Sequence, residues 1–226
     1  MTDQFSYPVR IGTRGSDLAL WQANAVRQAL IDAHGLSGDD VEIEIIKTTG
    51  DRITDRALLE AGGKGLFTKE IEEALLAGSI HLAVHSAKDM PTRLPDGLIL
   101  AAYLPRADIR DALVARNVSR FEDLPHGARI GTASLRRAAL IRRLRPDLQT
   151  PLIRGNVPTR LSKVAEGQFD ATLLATAGLI RLGLDSEITE QLDTNRFPPA
   201  CGQGAVTIEC RTDDSATCEL LAAINH

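Results

Sequence analysis

The tetrapeptide Arg-Ile-Gly-Thr occurs twice, at residues 10–13 and 129–132, and the stretches around the two copies run alike. In "VRIGTRGSDLALWQANAVRQAL" and "ARIGTASLRRAALIRRL", a short apolar strand meets Gly and Thr. Each then passes a small hydroxyl residue, Ser16 or Ser134, and enters a segment with apolar residues at helical spacing. The first stripe is Leu18, Trp21, Ala25, Val26 and Ala29; the second is Leu135, Ala138, Ile141 and Leu144. A second pair of segments echoes the first. "EIEEALLAGSIHLAVHSAKD" and "RLSKVAEGQFDATLLATAGL" both run helix, glycine, apolar strand and small-residue loop, with Gly78 and Gly167 expected just past the helix ends, where positive φ costs glycine least. Strands apolar on both faces that alternate with helices imply mainly parallel, mixed sheets covered on both sides. The expectation is an α/β protein of two similar lobes.

Further strands are predicted at 41–47, 97–103, 111–115 and 205–210. Crossovers are expected near 104–110 and at "RFPPACGQG", where two prolines and two glycines forbid regular structure. The last strand and helix then return to the first lobe. The predicted division is 1–104 plus 205–226 for one lobe and 105–204 for the other.

The 226 residues are 43% hydrophobic and 25% charged, an ordinary globular balance. No apolar run approaches the ~20 residues of a membrane helix, and "MTDQFSYPVR" has no apolar signal-peptide core, so a cytoplasmic protein is expected. The cysteines, Cys201, Cys210 and Cys218, are odd in number and lie outside any CxxC spacing, which suggests neither a disulfide framework nor a zinc knuckle. A formal net charge of −4 argues against nonspecific coating of nucleic acid, and 4% aromatic residues leave little for base stacking.

Against that acidic balance, "GTASLRRAALIRRLRP" carries five arginines. Arg142, Arg143 and Arg145 suit the negative C-terminal end of a helix dipole, whereas Arg136 and Arg137 stand at the wrong end with no carboxylate in "GTASLRR" to compensate them. An anionic ligand resolves that conflict. Arg14, beside the first helix start, and Arg154 and Arg160, flanking a Gly-Asn turn in "LIRGNVPTRL", invite the same reading. Guanidinium groups match carboxylates bidentately, so a small ligand rich in carboxylates is preferred. "AGGKGLF" is not a phosphate loop, because Lys64 is followed by Gly65. "HLAVHSAKDMP" ends a predicted parallel strand, where α/β sites are found, and Asp89 next to Lys88 is the candidate for chemistry. His81 and His85 have no evident third partner, so no metal is expected.

Taken together, "RIGTRGSDLALWQ", "GGKGLFTKE", "VHSAKDMPT", "GTASLRR", "RGNVPTRL", "AGLIRLG" and "GQGAVTIECR" resemble the porphobilinogen deaminase (hydroxymethylbilane synthase) family in order and along nearly the whole chain. The resemblance implies a periplasmic-binding-protein-like pair of domains with the active cleft between them. It also implies head-to-tail joining of porphobilinogen units, with loss of ammonia, to give hydroxymethylbilane in haem and tetrapyrrole biosynthesis. It makes Asp89 the catalytic group and assigns Arg14, Arg154, Arg160 and Arg181 to substrate carboxylates. Ser16, Phe67 and Gln203 join the substrate side, with Phe67 stacking on a pyrrole. Lys64, Lys88, Thr132, Ser134, Arg136 and Arg137 hold a dipyrromethane cofactor.

The partners so implied are small polycarboxylate pyrroles and a third domain of the same protein, with no nucleic acid and no membrane, on a monomeric chain. Family members tether the cofactor through a cysteine of that third domain, and Cys201, Cys210 and Cys218 match no such position. The expectation is therefore a two-domain portion of the enzyme with the binding residues and little or no turnover. The competing reading is a binding module that captures a polycarboxylate without chemistry.

Overall fold

Val9–Thr13 (β1) is an apolar strand that runs into Ser16, whose side chain caps the first helix, Asp17–His34 (α1), by accepting from the Ala19 amide. A computed structural model describes residues 7–52 and 65–226. After α1 come Val41–Ile45 (β2), Thr49–Arg52 (α2), Lys69–Leu76 (α3), Leu82–Ser86 (β3) and Leu98–Tyr103 (β4). Asp111–Ala115 (β5), Ile130–Gly131 (β6), Leu135–Leu144 (α4), Val157–Ala165 (α5), Ala171–Ala175 (β7), Thr176–Arg181 (α6) and Glu190–Gln191 (β8) follow. Val206–Arg211 (β9) and Ser215–Ala222 (α7) close the chain.

These elements form two compact units, and the chain crosses between them at Arg106/Ala107 and at Gly204/Ala205. The first unit holds a sheet of order β2-β1-β3-β9-β4. Its β2, β1 and β3 are parallel, while β9 enters antiparallel between β3 and β4. The second, Ala107–Gly204, holds a sheet of order β6-β7-β5-β8, in which β6 and β7 are parallel and β5 is antiparallel to both neighbours. Both sheets are mixed, but parallel pairing is confined to β2-β1-β3 and β6-β7. Apolarity on both faces signals that a strand is covered on both sides, not the direction in which it runs.

Alternation along the strands divides each core in two. In the first unit Val9, Ile11, Leu82, Val84, Ile208 and Cys210 pack with α1 and α7 residues such as Val26 and Leu221. On the other face Ala83 and Leu98 pack with Ile71 and Leu75 of α3. In the second unit Leu113, Ile130 and Leu173 pack with Ile141, Phe121 and Phe197, and Ala112, Val114 and Leu174 with Leu179.

The glycine expectation is met, since Gly78 and Gly167 have φ of 71° and 78°. The phase of the first helical stripe is not as read. In α1 the buried residues are Ala19, Gln22, Ala23, Val26 and Leu30, while Trp21 is exposed. Apolar residues surround the start of α1, and it is the small alanines that lie against the sheet. In α4 the stripe holds for Ala138 and Ile141, which are buried, and for Leu144, which packs on the same core, while Leu135 is exposed and Arg137 is buried. No helix among the described residues is long and apolar enough to cross a membrane.

Candidate functional site

In a parallel pair both strands end at the same sheet edge, and side chains that follow such strands converge there. In the first unit β1 and β3 are such a pair, with Ile11 opposite Leu82 and Gly12 opposite Ala83. Arg14 and Ser16 follow β1; Lys88 and Asp89 follow β3 in the single turn Ala87–Asp89. Asp89 and Lys88 are exposed. The turn is anchored at its start, where the Ala87 amide donates to the Ala205 carbonyl at 3.1 Å. Gln22 of α1 donates to Ser86 Oγ at 2.9 Å, which ties the end of β3 to the first helix.

Arg14 is not a loose surface arginine. Its guanidinium grips both carboxylate oxygens of Asp51 and lies 4.1 Å from the centre of the Phe67 ring. Burial alone would raise the Asp51 pKa. The hydrogen bond from Arg14 and that from the Thr48 hydroxyl (2.7 Å) outweigh it and hold the carboxylate below its usual value. Phe67 thus has one face covered by Arg14. Lys64 lies outside the described residues.

The second unit builds its edge around a residue that sequence reasoning overlooked. Asp111, the first residue of β5, pairs with Ala175, the last of β7, because the strands are antiparallel. It therefore sits where β6 and β7 end, and it is fully buried. Arg137 NH2 donates to its Oδ1 at 2.7 Å, Arg136 NH1 to its Oδ2 at 2.8 Å, and Gln203 Nε2 to its Oδ1 at 2.9 Å. Burial pushes the Asp111 pKa up; the charge of Arg137 and the three hydrogen bonds prevail and hold it at about 2. This corrects the argument for Arg136 and Arg137: a compensating carboxylate exists and comes from β5. The signal was present in "PRADIRDAL", where an aspartate opens a strand too apolar to leave it at the surface.

Thr132 and Ser134 lie close by. Thr132 Oγ1 accepts from the Ser134 amide at 3.1 Å, and Ser134 caps α4 by accepting from the Arg137 amide at 3.4 Å. Arg137 NH1 also donates to the Leu173 carbonyl at 2.9 Å, and Arg136 NH1 to the Pro198 carbonyl at 2.7 Å. Both arginines keep a buried Nε–H with no acceptor among the described residues. Arg160 donates through Nε to the Gly155 carbonyl at 2.9 Å. Burial, with Arg137 and Arg154 beside it, lowers the Arg160 pKa to about 10. Arg137 and Arg154 therefore both repel Arg160 at this edge. Arg181, at the end of α6, donates to the Gly204 carbonyl at 2.8 Å, and burial lowers its pKa. Arg142 and Arg145 are engaged locally, by Thr150 and by Asp147 with the carbonyls of Glu122 and Leu124.

The two histidines are engaged within the fold. His81 Nδ1 accepts from the Arg10 amide and His85 Nε2 meets Glu209. Among the described residues no group of three or more His, Cys, Asp or Glu side chains is placed to hold an ion.

A family model described as "Porphobilinogen deaminase, dipyromethane cofactor binding domain" matches residues 9–219. The chain belongs to the porphobilinogen deaminase family. A porphobilinogen deaminase from Nitrobacter hamburgensis is 58% identical over 214 residues, covering 95% of this chain and 68% of that protein. Porphobilinogen deaminases are transferases of porphyrin and tetrapyrrole biosynthesis, and the matched domain is named for its cofactor. Among solved structures, a periplasmic substrate-binding protein of an ABC transporter from Coxiella burnetii has a TM-score of 0.57 at 14% identity, with 96% of this chain and 91% of that chain covered. A nutrient binding protein from Burkholderia cenocepacia bound to methionine has a TM-score of 0.57 at 12% identity, with 96% and 91% covered. At such identities the likeness is one of fold. This porphobilinogen deaminase family member thus has the α/β fold of periplasmic binding proteins.

Proposed function

We propose that the chain carries the residues by which a hydroxymethylbilane synthase holds dipyrromethane and condenses porphobilinogen on it, with release of ammonia. The observation that carries the reading is the arginine cluster of the second unit. Arg137 has a carboxylate partner in Asp111, whereas Arg160 is paired with a backbone carbonyl and shifted downward by burial, Arg137 and Arg154. A half-buried cation of this kind is stabilised by an added anion, and a pyrrole bearing acetate and propionate supplies two.

In this reading Thr132, Ser134, Arg136, Arg137 and Lys88 hold the dipyrromethane, as does Lys64. The donor set fits, since the two arginines retain Nε–H groups without acceptors. When bound, dipyrromethane supplies the pyrrole carbon on which the chain is extended. Arg14, Arg154, Arg160 and Arg181 orient the incoming carboxylates, Ser16 and Gln203 assist, and the Arg14-Phe67 pair offers a flat surface to a pyrrole. Asp89 stabilises the positive charge that develops as ammonia leaves and moves the accompanying proton.

None of the three cysteines serves as the cofactor's attachment point in this reading. Cys210 is buried in β9 with its Sγ 3.7 Å from that of Cys218, and burial raises its pKa, which makes it a poor nucleophile. Residues 1–226 alone are accordingly expected to bind pyrrole carboxylates and to turn over little. The test is to mix residues 1–226 with porphobilinogen and with a synthetic dipyrromethane, following tetrapyrrole absorbance, heat of binding and intact mass. Binding that Arg160→Leu weakens roughly 10-fold or more, without covalent mass gain, supports the reading. No binding by the unaltered chain overturns it, and sustained tetrapyrrole formation by these residues alone overturns the low-turnover part.

A further inference from the structure

The α3 face of the first sheet holds three ionisable side chains that the proposed chemistry does not use. Register places them there. Glu209 lies opposite Ala83 in the β3-β9 pair, and His85 is two residues on from Ala83, so both share the face on which Ala83 packs against α3. From that helix Ile71, Glu72 and Leu75 are buried. Glu72, His85 and Glu209 are 8%, 6% and 0% exposed. His85 Nε2 is 3.1 Å from Glu209 Oε2, while Glu209 Oε1 and Glu72 Oε1 have no hydrogen-bond partner among the described residues.

Among the described residues the cations around α3 are engaged elsewhere, Lys69 with the neighbouring Glu73. Glu73 beside Glu72 is acidic and exposed, and Thr68 brings only a hydroxyl. Arg10 of β1 is turned to the carbonyls of Gly78 and Ser79, and Arg211 of β9 to those of Leu75 and Ile80 and to Asp214. β4 carries no charged residue. Two carboxylates and one imidazolium in an apolar layer would leave an uncompensated negative charge, which is costly to bury. One additional proton removes that charge and turns an acceptor without a partner into a donor. Burial, with the nearby Glu209 charge, raises the Glu72 pKa, although Thr68 and His85 act against it.

We propose that Glu72 keeps its proton at neutral pH beside the His85-Glu209 pair, and that this buried proton site positions the turn bearing Lys88 and Asp89. The geometry links the two. His85 ties β3 to β9 immediately before the turn, and the Ala87-Ala205 hydrogen bond continues that tie into it. Loss of the proton sets Glu72 against Glu209 and loosens β3 from its support. The positioning half of the proposal rests on the reading of Asp89 given above; the proton site does not.

The experiment has two arms. Carbon-13 NMR of glutamate carboxyls in the unaltered chain should show one group still protonated at about pH 7, where a carboxyl with the usual glutamate value near 4.3 is ionised. Glu72→Gln should remove that resonance. Because a raised pKa makes stability fall as pH rises from the unfolded-state value, the unaltered chain should also lose stability relative to Glu72→Gln above about pH 4. If every glutamate titrates normally, the proton site is disproved, and that measurement needs no variant to fold. In the second arm, Glu72→Gln in the dipyrromethane-loaded enzyme that joins these residues to the cofactor-bearing third domain should displace the alkaline limb of the kcat profile by about one pH unit, with KM within roughly twofold. An unmoved limb alongside the NMR signal overturns the positioning role. Absence of tetrapyrrole formation by the unaltered loaded enzyme overturns instead the functional reading on which that role rests.

Discussion

Asp111 shows how one residue decides the electrostatics of an edge. Its carboxylate is shared by Arg136, Arg137 and Gln203, so removing its charge leaves two arginines facing one another in a largely dry site. Asp111→Asn is expected to destabilise the second unit by about 3 kcal/mol or more, the usual result of breaking a buried ion pair from one side. Denaturant unfolding at pH 7 measures it. The sign of the pH dependence follows from the depressed pKa. The stabilisation is fully present above the unfolded aspartate value near 4, and is lost as pH falls through about 2. The difference between the unaltered chain and Asp111→Asn should therefore shrink over that window, and a difference independent of pH would contradict the assignment. The strand-opening place of this aspartate was legible in the sequence, but its partners were not, because they lie 25, 26 and 92 positions away. Arg136 and Arg137 stood out only as cations at the wrong end of a helix, and the carboxylate that answers them belongs to another strand.

At the scale of elements, local chemistry was readable and packing phase was not. Ser16 and Ser134 cap the helices they precede, and Asn156 caps α5 in the same way, because each effect is contained within three residues of chain. The buried face of α1 depends instead on which residues fit closely against the sheet, and that put Ala19 and Ala23 inside and Trp21 outside. The approach to α5 is the most exacting local feature of the arginine cluster. Gly155 has φ of 117°, and a Cβ there would lie 2.6 Å from Thr159 Cγ2. Gly155 also supplies the carbonyl that holds Arg160. Gly155→Ala should cost roughly 1–3 kcal/mol of stability and displace that carbonyl. Affinity for a dicarboxylic pyrrole should fall along with it. Thermal unfolding and calorimetric titration check the two effects together; a substitution that lowers stability but leaves affinity intact would separate the turn from binding.

For the whole molecule the decisive fact is where the chain returns. β9 takes a central place between β3 and β4, so the first unit is completed only by residues after Gly204. The repeat of Arg-Ile-Gly-Thr announced two related halves. It did not announce antiparallel insertion of β9, which is set by long-range pairing. Among the described residues the second unit is a continuous stretch, and its cores draw on residues from Ala112 to Phe197. The Asp111 hub and the Arg181-Gly204 hydrogen bond also close within it. At about 100 residues it is large enough to bury a sufficient core by itself. Residues 107–204 expressed alone should therefore unfold cooperatively and retain weak affinity for carboxylate-bearing pyrroles, lost on Arg160→Leu. Residues 1–106 should not fold, since the sheet lacks its fourth strand and leaves the edges of β3 and β4 unpaired. Circular dichroism melts of both fragments decide the point: a cooperative transition in the 1–106 fragment would show that β9 is not needed to complete the first sheet, and none in 107–204 would show that the second unit does not hold its stability by itself.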